Sequence, residues 1–140
     1  MKKERLSIDY LIDIFHQTFL IQKFIKGIKF QKFSEDYQLT YAVTRALEII
    51  GEAVKKIPKE IRANYKTVDW SEVAKMRDML IHYYYGADEK IIWNTCKKDI
   101  KVLKSQIIII IDDVLQTIID DELKNKLQIR ISAIKKSAKK

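Results

Sequence analysis

The chain has 140 residues, 47% hydrophobic and 33% charged, a mixture that supports one hydrophobic core and excludes a disordered or fibrous protein. With three Gly and one Pro it has few breakers, which favours long helices over many short strands, and its single cysteine, Cys96, excludes an internal disulfide. Lys and Arg number 27 against 19 Asp and Glu, a formal net charge of +8 that favours polyanionic partners, although a Lys-rich end alone produces such an excess.

Residues 1–5 are basic, but Asp9 and Asp13 interrupt the apolar residues after them, so no signal peptide is expected. Leu11, Phe15 and Phe19 step by four, with Leu20, Phe24 and Ile28 as a neighbouring stripe. This predicts a first helix that ends near Gly27. Lys23, Lys26, Lys29 and Lys32 drift around a helix rather than align, which reads as a solvated face. Ser34, Glu35 and Asp36 introduce a second helix carrying Leu39, Val43, Ala46, Leu47, Ile50, Ala53, Val54 and Ile57. Pro58 ends it or opens a further short helical turn. Gly51 is read as a close helix–helix contact, and Arg45 with Glu52 as a structural ion pair, the alternative being that both face a cleft.

Residues 64–67 read as loop. Asp69 is placed as an N-cap answered by Glu72, a capping-box arrangement, and starts a third helix over about 70–84 that Gly86 terminates. Asp88 caps a fourth helix through Ile92, Cys96, Ile100, Leu103 and Ile107. The five-Ile run at 107–111 continues it, being far too short and too closely flanked by charge to span a membrane. Trp70 and Trp93 are expected as core or interface anchors, and Cys96 as a small buried thiol. Leu123, Leu127, Ile131 and Ile134 share one stripe of a basic helical tail at about 121–140, read as a solvated or frayed end rather than an RNA-binding arm. The expected architecture is an all-α, up-and-down antiparallel bundle of four to five helices in one domain, in a cytoplasmic protein with no membrane partner.

Chemistry concentrates at Arg77, Asp78, His82 and Tyr84. His16 reads as a surface or boundary residue. On a helix turning about 100° per residue, Val73, Met76, Leu80 and Tyr83 form the core stripe. Arg77 and Tyr84 then share one flank, and Asp78 and His82 lie one turn apart on the other side. One ideal helix does not aim Arg77 and His82 at the same spot. Either the helix unwinds near His82, or a second copy of the chain completes the site about a twofold axis. These residue types suit metal-independent RNA cleavage. Histidine serves as acid or base near neutral pH, arginine grips phosphate with parallel hydrogen bonds, and a carboxylate one turn away can orient the imidazole. Tyr84 offers a hydroxyl or an aromatic face.

The run Arg77-Asp78-Met79-Leu80-Ile81-His82-Tyr83-Tyr84 resembles the HepT-type branch of the HEPN superfamily, whose motif is Arg-x4-His-x-Tyr. Thr44-Arg45-Ala46-Leu47-Glu48-Ile49-Ile50-Gly51-Glu52-Ala53 is similar to that branch's second-helix signature. Asp69-Trp70 resembles the start of its third helix, and Tyr84-Tyr85-Gly86-Ala87-Asp88 with Ile91-Ile92-Trp93 its turn into the fourth. The resemblance covers about residues 5–110 and leaves the tail outside. It implies a homodimer with the active site at the interface, and a metal-independent endoribonuclease without a cofactor, the toxin half of a toxin–antitoxin pair. Arg77, His82 and Asp78 would be catalytic. The partner would be a minimal nucleotidyltransferase antitoxin of the MntA type that transfers AMP onto Tyr84.

Two other readings compete. One is a non-catalytic module that binds nucleotide or RNA and engages a nucleotidyltransferase, against which the intact Arg77 and His82 pair argues. The other is a metal-binding bundle, which lacks any Glu-x-x-His pair and has only two histidines.

Overall fold

The computed structural model describes residues 5–81 and 88–137. Their helices are α1 (Ser7–Ile25), α2 (Phe30–Glu35), α3 (Tyr37–Lys55), α4 (Lys59–Asn64), α5 (Trp70–Ile81), α6 (Glu89–Asn94), α7 (Ile100–Thr117) and α8 (Asp121–Ser137), and no strand occurs among the described residues. The fold is an all-α, HEPN-like up-and-down bundle. In it α1 lies against both α3 and α7, while α3 packs on α5. Lys104, early in α7, donates to Gln22 Oε1, late in α1, at 2.7 Å, so these two helices run in opposite directions.

Local chemistry sets the boundaries. Gly27 has φ of +70°, the left-handed conformation that glycine adopts without steric cost, and it ends the first helix where expected. Asp36 caps α3, its Oδ1 accepting from the Leu39 amide at 3.1 Å. Pro58 does open a further turn, standing at the N-cap of α4. Asp69 Oδ1 accepts from the Glu72 amide at 3.2 Å, one half of the expected capping box. Asp36→Ala is expected to cost about 1 kcal/mol of stability, because the half-buried carboxylate that caps α3 is lost. A lower urea midpoint with an unchanged m-value is the result that checks it.

Buried side chains from these helices share one core, including Leu11, Phe15, Leu47, Ile50, Ile100 and Ile107. The five-Ile run is helical, with Ile107, Ile110 and Ile111 buried and Ile109 exposed. Trp70 and Trp93 are both buried within the chain. Among the described residues no helix is long and apolar enough to cross a membrane.

Three features differ from expectation. The short helix α2 intervenes before α3 and seats Phe33 against Trp93, with ring centroids 5.1 Å apart. The fourth helix is not uniform: residues Thr95–Asp99 form a π-helical turn between α6 and α7. Ile92, Cys96 and Ile100 are spaced by four, more than one ideal α-turn, and the wider π-turn takes up the excess so that all three are buried. Finally, the basic C-terminal segment is docked as α8. Leu127, Ile131 and Ile134 are buried, and Arg130 Nη1 reaches Asp9 on α1 at 3.0 Å. Each buried aliphatic side chain contributes roughly 2 kcal/mol, against less than about 1 kcal/mol for an exposed ion pair. The apolar stripe therefore holds α8 in place, and Arg130 sets its register.

Candidate active site

Arg77 sits at a close approach of α5 to α3. A Cβ added to Gly51 would stand 3.1 Å from Arg77 Cβ and 3.3 Å from the Arg77 backbone nitrogen. The helices approach this closely because position 51 carries no side chain. That is the close contact expected of Gly51, and its partner is the base of the candidate catalytic arginine.

Glu52 is the next residue on α3. Its Oε1 lies 3.8 Å from Arg77 Nε and also 3.8 Å from Arg45 Nη1. Arg45 Nη1 is in addition 3.2 Å from Glu48 Oε2. The two readings of Arg45 and Glu52 thus meet in one arrangement, an ion pair that also faces Arg77. Asp78 turns to the same helix, with Oδ1 3.9 Å from Lys55 Nζ. Lys55 is absent from the residues singled out in the sequence, though it falls three positions after Glu52 on one face of α3. These pairs are wet, with Arg77 42% and Asp78 65% exposed. Each is worth well under about 1 kcal/mol, so they orient the side chains and exchange readily with an incoming anion.

His82 and Tyr84 lie outside the described residues, as do Tyr83 and Tyr85, and so does any hydrogen bond between Asp78 and His82. What the described residues bring together is Arg77, Asp78, Arg45, Glu52 and Lys55, on a solvent-facing edge between α3 and α5. An arginine there presents a planar guanidinium that can take two oxygens of a phosphate at once. His16 is half-buried on α1, beside Asp13 and Arg130.

Other chemistry is remote from this edge. Burial pushes the Cys96 thiol up to about 12, so it stays protonated and packs as a small apolar group. Among the described residues no three His, Cys, Asp or Glu side chains converge to hold a metal ion. A groove of about 600 Å³ runs between α5 and the α6–α7 helices, lined by Val73, Met76, Met79, Ile91 and Val102. Arg77 and Asp78 are not in its wall, so this groove and the candidate chemistry lie on different faces of α5.

An all-α HEPN-like bundle with a partly exposed arginine at a close helix contact defines a class of protein. The family model described as ribonuclease HepT-like matches residues 14–110, which run from α1 into α7. The chain belongs to the HepT-like ribonuclease family. A "Putative RNase" of Caldanaerobacter subterraneus subsp. tengcongensis is 46% identical over 107 residues, covering 76% of this chain and 93% of the relative. A "Probable ribonuclease HepT" of Thermococcus cleftensis is 46% identical over 103 residues, 74% of this chain and 94% of the relative. A "Putative RNase" of Methanocaldococcus jannaschii is 43% identical over 105 residues, 75% and 87% respectively. No solved structure gives a significant match.

Proposed function

We propose that this protein is a metal-independent endoribonuclease that cleaves cellular RNA as a homodimer. It is the toxin of a type VII toxin–antitoxin pair, silenced when a minimal nucleotidyltransferase transfers AMP onto Tyr84. The observation that carries this reading is the Arg77-x4-His82-x-Tyr84 run inside the stretch matched by the ribonuclease HepT-like family.

The ribose 2′-hydroxyl loses its proton to a base, its oxygen attacks the adjacent phosphorus, and the 5′-oxygen departs with a proton from an acid. Arg77 holds the phosphate and balances the charge that builds on its oxygens. His82 moves the protons, and Asp78 supports it. One histidine per chain serves two transfers most directly when a second copy brings its own His82 to the same axis. AMP on Tyr84, two positions beyond His82, adds a phosphate's negative charge where the RNA phosphate must sit, which gives silencing a physical cause.

The test is cleavage of cellular RNA by the purified full chain in the presence of a chelator. Wild type is expected to cut, and His82→Ala to lose about two to four orders of magnitude in rate. Equal residual activity in the two proteins would refute the catalytic assignment. Intact-mass measurement after co-expression with a minimal nucleotidyltransferase reads the modification, which Tyr84→Phe is expected to abolish.

A further inference from the structure

We infer that the outward stripe of α3 from Tyr37 to Arg45 is a track for the single-stranded RNA that flanks the cleaved bond. Tyr37 and Tyr41 stack bases there, and Arg45 holds a neighbouring phosphate. This deepens the ribonuclease reading and rests on it.

The stripe arises from helical geometry. At about 100° per residue, Tyr37, Tyr41, Arg45, Glu48 and Glu52 all fall within a sector of about 80° on α3. Tyr37 and Tyr41 are 77% and 72% exposed, one turn apart. A single exposed aromatic needs no explanation. Two in line with an arginine, pointing along the helix toward Arg77, do.

The line connects to the candidate site through one carboxylate. Glu52 Oε1 stands 3.8 Å from Arg45 and 3.8 Å from Arg77, so the two guanidinium groups flank a single anionic oxygen. Two arginines gathered on one shared oxygen are spaced for successive anionic groups. A guanidinium has five N–H donors, and Glu48 and Glu52 both approach Arg45 at Nη1, so they do not exhaust it. At 3.8 Å in water the Glu52 contacts yield to a phosphate at small cost. From Tyr41 to Glu52 the helix advances about 16 Å, enough for bases to lie along it before the strand reaches Arg77.

The chemistry favours RNA over a protein partner. The stripe joins flat aromatic surface to guanidinium, which is how single strands are held without sequence preference. It also presents no aliphatic cluster of the kind a protein partner buries, since Arg45, Glu48 and Glu52 come directly after the two tyrosines. The chain as a whole is strongly basic.

The experiment measures anisotropy of a fluorescein-labelled, mixed-sequence 12-nucleotide RNA binding to the full chain carrying His82→Ala, so that nothing is cut. Adding Tyr37→Ala and Tyr41→Ala is expected to weaken binding at least about tenfold, whereas Tyr37→Phe with Tyr41→Phe keeps it within about twofold, since the ring is what stacks. Arg45→Ala is expected to weaken binding and to reduce the slope of log affinity against log salt by about 0.7, the loss of one phosphate contact. Undiminished affinity in the alanine pair overturns the track. So does a change of assembly mass in sedimentation, with RNA affinity unchanged, because the tyrosines would then be a protein contact. Cleavage by the chain with His82 intact is read separately, so failure of the track and failure of the ribonuclease reading are told apart.

Discussion

Arg77→Ala is expected to lower RNA cleavage by about two to three orders of magnitude while leaving the fold intact. The side chain is 42% exposed and its contact with Glu52 is 3.8 Å long, so truncation leaves no buried charge without a partner and opens no cavity. Stability is expected to move by no more than about 0.5 kcal/mol, as for other surface substitutions. Arg77→Lys separates charge from geometry. Lysine keeps the charge but is a point donor that cannot take two phosphate oxygens in parallel, so an intermediate rate is expected. Rates of the purified variants, compared at equal urea midpoints, check this. A folded Arg77→Ala protein that cuts at the wild-type rate would remove Arg77 from the chemistry.

Much of the bundle was legible because local and tertiary demands agree. Asp36 and Asp69 are capping residues placed just before apolar periodic runs, and both carboxylates accept from the first turn of a helix. The five-Ile run resolves as helix because its flanks keep helical spacing. What was illegible depends on partners far along the chain. Phe30 and Phe33 become a helix of their own because Trp93 supplies the surface they cover. The stripe in α8 was visible, but nothing local says that Arg130 meets Asp9 and Asp13 on α1.

The candidate site shows the same division. Arg77, Asp78, His82 and Tyr84 stand out by residue type within one short run. Arg45, Glu52 and Lys55 lie on another helix, and their relation to Arg77 exists only once α3 and α5 are packed. Gly51 carried the one usable signal. A glycine inside a strongly periodic helix loses backbone entropy without return unless something must come close. That something is the backbone of Arg77 itself.

Gly51→Val is accordingly expected to cost about 1–3 kcal/mol, the range for forcing extra methyl groups into a packed contact. Gly51→Ala is a finer case, because two effects oppose. Alanine in a helix interior gains roughly 0.5–1 kcal/mol over glycine, while its Cβ would meet Arg77 Cβ at 3.1 Å and the Arg77 nitrogen at 3.3 Å. Neither neighbour is the far end of a flexible side chain, so relief requires α5 to shift by a few tenths of an ångström. Alanine is expected to come out within about 1 kcal/mol of wild type, and valine clearly below it. The shift acts on Arg77 directly, moving it away from Glu52 and from the phosphate it is proposed to hold. Cleavage by Gly51→Val should therefore fall further than its unfolded fraction accounts for, measured at a temperature where both proteins are folded. A valine variant as stable as wild type would mean that the two helices part at this point without cost. The glycine would then have no role in holding the arginine at α3.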